Sequence, residues 1–158
     1  MRWVLVVLFG VLIGCGSQDD GGTDAGDGGD AAPYAAAQKV VDGVAARHAK
    51  LQRLTLHAVP TDGAVCTQVA STMASRRGKP SDPEDLEALR TGKETILDEP
   101  GAIDVTVPIL VKDGKPGAVA GVTLTMEEGA DHDALVGEAR AIADELAKEV
   151  EAATTPLW

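Results

Sequence analysis

The sequence predicts an α+β domain with a central antiparallel sheet of about five strands. Long helices flank the sheet at the two ends of the domain, and a short helix follows the second strand. Three observations lead there. The spacing of apolar residues is helical at both ends of the domain and switches to a period of two between them. Consecutive strand-like segments are joined by short Gly- and Asp-containing turns, which imply antiparallel pairing. The apolar stripes of the two end helices then have to cover the same sheet face.

Taken in order, Pro33 to Leu51 is alanine-rich and places Val40, Val41, Val44, His48 and Leu51 at helical spacing, with Pro33 suited to the first turn. From Leu54 to Val59, Leu54, Leu56 and Ala58 alternate with Thr55, His57 and Val59. Pro60-Thr61-Asp62-Gly63 carries a turn signal, and Ala64 to Ser71 alternates again. A two-residue turn at Asp62-Gly63 would pair Thr61 with Ala64, Val59 with Cys66 and His57 with Gln68. His57, Val59, Cys66 and Gln68 would then share one face, with Leu56 and Val69 on the other. An irregular basic loop from Met73 follows. Ser81 or Asp82 can cap a short helix from Pro83 to about Arg90, with acids in its first turn and Gly92 ending it. Thr95 to Leu97, Ile103 to Val111 and Val119 to Met126 read as three further strands, the last two separated by the Asp113-Gly114 turn. Asp131-His132-Asp133 opens a closing helix whose Leu135, Ala139, Ile142, Leu146 and Val150 form one stripe.

Ahead of this domain the chain has a different character. Met1-Arg2-Trp3 precedes an apolar run from Val4 to Ile13, which ends in Leu12-Ile13-Gly14-Cys15. A positive start, a short apolar core and a small residue at the cut are the layout of an export signal. The run is too short for a membrane-spanning helix, which needs roughly 20 apolar residues. Leu12 to Cys15 resembles the lipobox of bacterial lipoproteins. That resemblance implies cleavage after residue 14, a lipidated Cys15 as the mature N-terminus, and anchorage in a lipid bilayer through its acyl chains. Gly16 stands where enterobacterial lipoproteins retained at the inner membrane resemble one another in carrying Asp. The expected location is therefore the cell envelope, with the outer membrane favoured. Residues 16–32 hold no large apolar side chain and five aspartates, as a solvated tether would. Their spacing lacks the Asp/Asn ladder and closing Glu of a calcium loop. The expected organisation is thus a signal over 1–14, the lipidated cysteine and tether over 15–32, and one domain over 33–158.

Composition narrows the partners. The 158-residue chain has a formal net charge of -11, and residues 33–158 carry 13 Lys and Arg against 20 Asp and Glu. Such a surface disfavours nucleic acid. Of four aromatic side chains, Trp3 and Phe9 fall in the signal, leaving only Tyr34 and Trp158 to the domain. Stacking platforms and aromatic cages are out of reach. With Cys15 lipidated, Cys66 has no partner for an internal disulfide and reads as a buried, inert thiol.

The stretch Arg77-Gly78-Lys79-Pro80-Ser81-Asp82-Pro83-Glu84-Asp85-Leu86-Glu87-Ala88-Leu89-Arg90-Thr91-Gly92-Lys93 is followed by Ile103-Asp104-Val105-Thr106-Val107-Pro108-Ile109. Asp113-Gly114-Lys115-Pro116-Gly117-Ala118-Val119-Ala120-Gly121-Val122 comes next. Together these resemble the second half of an extracytoplasmic PAS-like sensor module of the single-Cache type, over roughly residues 45–150. The resemblance implies a PAS/Cache-like sheet and a pocket between that sheet and the loop-helix segment. Organic acids, amino acids or similar polar ligands would be its occupants. Family members usually feed a membrane helix and an output domain. The expectation here is a ligand-binding sensor or sensor accessory that acts through a separate envelope protein. The alternative is a structural or interaction lipoprotein whose PAS-like domain makes protein contacts with no small ligand.

Candidate ligand contacts follow. Arg76 and Arg77 stand where the family builds its pocket wall, and a guanidinium there would hold a carboxylate in a bidentate pair. The competing reading is two solvated loop charges. His57, on a face with Cys66 and Gln68, supplies too few ligands for a metal with its neighbours and reads as a satisfied or exposed histidine. Asp104 and Thr106 would suit an ammonium group, or are ordinary outward-facing polar positions. No cofactor is implied. The chain has no G-x-S-x-G, H-E-x-x-H, phosphate loop or dinucleotide fingerprint, so no enzyme is expected. Glu127-Glu128 reads as the acidic approach to the closing helix.

Overall fold

The computed structural model describes residues 34–158 except Ala64, Val111 and Asp113. The expected signal, Cys15 and the tether lie outside the described residues. Helix α1 (Ala35–Ala45) leads into β1 (Leu51–Ala58) and β2 (Thr67–Ser71). A 3-10 turn over Ala74–Arg76 and helix α2 (Pro83–Thr91) follow. Then come β3 (Thr95–Glu99), β4 (Ala102–Ile109), β5 (Ala118–Thr125) and α3 (His132–Ala152). The sheet is antiparallel throughout, in the order β2-β1-β5-β4-β3. Among the described residues this is the expected α+β architecture, with five strands and three α-helices.

Strand parity sorts the core. Leu54, Leu56 and Ala58 of β1, Ile103, Val105 and Ile109 of β4, and Ala118, Ala120, Val122 and Leu124 of β5 face α1 and α3. Ala37, Val41 and Val44 of α1 and the predicted stripe Leu135, Ala139, Ile142, Leu146 and Val150 of α3 meet them, all buried. Each large aliphatic side chain hidden in this layer contributes roughly 1.5–3 kcal/mol. Asp131 caps α3 by accepting the Ala134 N–H at 3.1 Å. Arg47 and His48, in the turn just past α1, hold Glu145 of α3 at 2.5 and 2.7 Å. No helix among the described residues is long and apolar enough to cross a membrane.

Three expectations are corrected. Helix α1 stops at Ala45, well short of Leu51, because Leu51 is drawn into β1 opposite Leu124 of β5. The Asp62-Gly63 hairpin does not close as a two-residue turn. Pairing ends at Ala58 and Thr67, Gly63 donates back to the Pro60 carbonyl, and Val59 is exposed beyond the strand end. Strand β2 starts at Thr67, where its pairing with Ala58 of β1 ends, and its outer edge is taken by the loop ahead of α2. Gln68 N–H donates to the Lys79 carbonyl, Gly78 N–H to the Gln68 carbonyl and Ser81 N–H to the Cys66 carbonyl. The loop thereby covers what would be an open edge. The predicted pairing of His57 with Gln68 is present, and a bulge between Leu56 and His57 sets Thr55 opposite Ser71.

Helix α2 sits on the sheet face opposite α1 and α3, against β3, β4 and β5. Its start is fixed by Pro83 and by Asp85, whose Oδ2 accepts the Asp82 N–H at 3.0 Å. It ends at Gly92, which adopts φ 68 as the left-handed C-cap. This helix turns the second sheet face into an interior.

Candidate functional site: a polar chamber under the short helix

On that second face the register aligns polar residues from neighbouring strands. One row runs Ser71, Thr55, Gly121, Thr106 and Thr95 across the sheet. The next holds Arg53, Thr123 and Asp104, and a third pairs Gln68 with His57. Such a stripe normally faces water. Here α2 and the preceding loop cover it, so Thr55, His57, Gln68, Ser71, Asp104, Thr106 and Thr123 are all buried. Asp104 and Thr106 are therefore interior groups, correcting the expectation of outward-facing positions.

Buried polar atoms need partners, and here they are linked. Thr123 donates to Asp104 Oδ1 at 2.7 Å, and Arg53 reaches Asp104 Oδ2 at 3.3 Å. Asp85, on the underside of α2, receives Thr106 Oγ1 on Oδ1 at 3.4 Å. His57 Nδ1 lies 3.2 Å from Asp85 Oδ2 and 3.0 Å from Ser81 Oγ. Ser81 in turn donates to Cys66 Sγ at 3.2 Å. One acceptor is left over. Gln68 donates to the Pro80 carbonyl at 3.2 Å, and its Oε1 is buried with no partner.

Between the stripe and α2 lies a cavity of about 50 Å³, room for a small polar group or a few water molecules. Arg53, His57, Gln68, Asp85 and Asp104 wall it, while Arg76, Asp82, Glu84 and Glu99 stand among the lining groups toward its rim. Gly121 forms part of the floor. A Cβ there would come within 3.2 Å of His57 Nε2, so the missing side chain is what keeps the space beside the imidazole.

Burial governs the protonation of this chamber. Desolvation pushes His57 down to about 4, with Arg53 and Arg76 adding to that and Asp82 opposing it. Desolvation pushes Asp85 up to about 7, reinforced by Glu84, Asp82 and Asp104 and opposed by the Asp82 N–H. The close His57–Asp85 contact is therefore a neutral hydrogen-bonded pair near pH 6, with the proton on the carboxyl. Burial likewise raises the Cys66 thiol, which is buried and free, as a structural cysteine would be.

The sequence-derived candidates divide. His57, Asp104 and Arg76 line the chamber, although Arg76 already spends its Nη1 on Asp82 at 2.6 Å, while Thr106 supports it from outside the lining by donating to Asp85. Arg77 turns away and donates from Nε to the Ser71 carbonyl at 2.8 Å, outside the cavity lining. Cys15 lies outside the described residues. Sequence reasoning missed Asp85, Arg53, Gln68 and Gly121. Among the described residues, no group of three or more ligating side chains is placed to hold a metal ion.

No family model and no curated protein matches the sequence. Solved structures do resemble the fold, GAF domains among them. The GAF domain region of a Geobacter sulfurreducens protein superposes with a TM-score of 0.53 at 14% identity, over 76% of this chain and 93% of that one. The GAF domain/HD domain protein of Geobacter sulfurreducens matches with a TM-score of 0.53 at 14% identity, over 75% of this chain and 94% of that one. The chain thus has a PAS-like α+β fold similar to that of GAF domains, with the sheet enclosed between two helical layers.

Proposed function

We propose that this chain is a sensor-type module that binds a small polar ligand in the chamber beneath α2, and that it works at the cell envelope on a lipid anchor at Cys15. The observation that carries the ligand reading is Gln68 Oε1. It is a buried acceptor without a partner, on a residue that lines a polar cavity. Leaving such a group unpaired costs roughly 1–3 kcal/mol, which a bound donor would recover. The likeness to GAF domains, and the Cache-like pattern of the sequence, support a sensor role for a cavity in this place. The organic-acid expectation loses support, because Arg76 and Arg77 are both engaged within the chain.

The test is thermal denaturation of the purified chain against amino acids, organic acids, amines and metal salts. A ligand at 100 times its Kd stabilises by about 2.7 kcal/mol, which shifts Tm by several degrees. The shift is expected to vanish in Gly121→Val, whose side chain fills the floor. No shift across the panel, together with specific capture of one envelope protein, would instead favour the interaction reading. A shift that survives Gly121→Val places the ligand elsewhere.

The anchor has its own experiment. Cells fed labelled palmitate should label the wild-type chain, and Cys15→Ser should abolish both the label and sedimentation with membranes. Membrane association that persists without Cys15 would end the lipoprotein reading.

A further inference from the structure

We propose that the chamber takes the ammonium head of a small primary amine, with Gln68 Oε1 and the Asp85 carboxylate as its acceptors and Glu84 and Glu99 guiding it at the rim. The inference rests on the ligand-binding reading above and specifies its chemistry. Two guanidinium groups and five carboxyl groups line the cavity. Asp104 neutralises Arg53 and Asp82 neutralises Arg76, each through a direct contact. Among the described residues, Asp85, Glu84 and Glu99 have no Lys or Arg partner. What the chamber lacks is positive charge.

An acidic cluster alone would be a solvated patch. The second observation is independent of charge: the Gln68 side chain is buried, and its unfilled atom is an acceptor. The amide is held in that orientation because its Nε2 donates to the Pro80 carbonyl, an atom that could not face Oε1. An acceptor calls for an N–H or O–H. A carboxylate would bring two more acceptors to a site already rich in them. An ammonium brings three donors on one compact positive centre. The cavity's size limits the buried part to the head and its nearest carbon, any longer chain passing out between Glu84 and Glu99.

Asp85 makes the site responsive to proton concentration. Around it stand His57 and Arg53 from β1, Asp104 and Thr106 from β4, Glu99 from β3, Arg76 from the 3-10 turn, Ser81 and Cys66 from the loop side, and Asp82 and Glu84 on its own helix. The imidazole is neutral above about pH 4. The incoming ammonium therefore meets a carboxyl that must first release its proton. With Asp85 ionised, His57 Nδ1 donates to it; with Asp85 protonated, Nδ1 accepts. Methylammonium affinity should be level between about pH 8 and 9, where Asp85 is ionised and the amine still carries its proton, and fall about tenfold per pH unit below 7.

The experiment measures Tm and calorimetric affinity of the purified chain at pH 8 and constant ionic strength. The probes are ammonium, methylammonium, potassium, tetramethylammonium and formate. Ammonium and methylammonium should bind; potassium (similar in size to ammonium but without donors) and tetramethylammonium should not. Glu99→Gln, exposed at the rim and outside the buried network, should weaken methylammonium several-fold and leave the unliganded Tm unchanged. Equal binding of potassium or tetramethylammonium overturns the donor argument. Formate binding in place of the amines overturns the amine inference and leaves a ligand-binding chamber standing. Silence from all five probes also overturns it, and silence from the wider panel above removes the ligand reading as well.

Discussion

Replacing Asp85 by Asn is expected to make stability depend steeply on pH between about 4 and 6.5, where the His57–Asp85 pair of the unmodified chain contributes almost no slope. The slope of stability with pH is about 1.4 kcal/mol per pH unit for each proton by which the unfolded state exceeds the native one. In the unfolded chain the aspartate is ionised above 3.8 and the histidine is protonated below 6.5, so the pair carries one proton, on His57. In the native chain the pair also carries one proton, but on Asp85, which holds it up to about 7, while His57 stays neutral down to about 4. Equal proton counts leave no slope. Asp85→Asn keeps the unfolded proton and deletes the native one, so stability falls by about 1.4 kcal/mol for each unit the pH drops below 6.5, until His57 itself titrates near 4. His57→Gln reverses the sign: only native Asp85 then binds a proton, and stability falls as pH rises through the same window. That window is narrowed by whatever water reaches the carboxyl through the cavity. At pH 8 the Asn variant should exceed the original by on the order of 2–3 kcal/mol, after that allowance, because it no longer buries a charge. Urea unfolding at half-unit pH intervals reads all three slopes. Parallel, flat curves for the three proteins would mean that the pair is hydrated and unshifted.

Only part of this pair is visible in the sequence. His57 stands opposite Gln68 because alternation around a turn signal fixes register even when the turn itself is misjudged; the bulge between Leu56 and His57 changes the register only farther from the turn. The end helices, with stripes such as Leu135 to Val150, are equally legible, since a helix that must bury one face writes that face at a period near 3.6. Asp85 reads as a helix-start acid, which it is, and that local role fully explains an acid at the position. Its second role depends on α2 docking over a polar stripe, and docking leaves no period in the sequence. The stripe carries a signal of its own: Thr55, His57, Asp104, Thr106 and Thr123 all fall on the parity opposite the apolar set. Polar parity is ordinarily solvent parity, so that signal points outward, and only the second helical layer reverses it. Gly121 illustrates the same limit, because a glycine in a strand announces a close approach without saying to what.

Arg53→Met is expected to cost about 2–3 kcal/mol of stability, and Asp104→Asn made in the same chain should return most of it. The Arg53–Asp104 contact at 3.3 Å is largely enclosed, with 17% and 10% of the two side chains exposed. Removing the cation leaves Asp104 in the sheet interior with the Thr123 hydroxyl as its remaining hydrogen bond. Breaking a fully buried pair costs roughly 3–5 kcal/mol, and the residual exposure of Arg53 lowers that figure here. The double variant has no charge to strand: methionine reproduces the stem of the arginine, and the side-chain amide carbonyl that replaces the carboxylate still accepts from Thr123. A double-mutant cycle in urea should therefore give a coupling of about 1–3 kcal/mol. Strictly additive single effects would show that the pair is solvated. The same cycle separates architecture from recognition. Deleting one positive and one negative group together leaves the charge balance around Asp85 unchanged, so methylammonium affinity in the double variant should stay within about threefold of the original by the Coulomb argument. Arg53→Met alone removes a cation from beside the ammonium site and should tighten methylammonium binding even as it weakens the fold. Stability and affinity moving in opposite directions in one variant is an outcome that damage to the fold cannot produce.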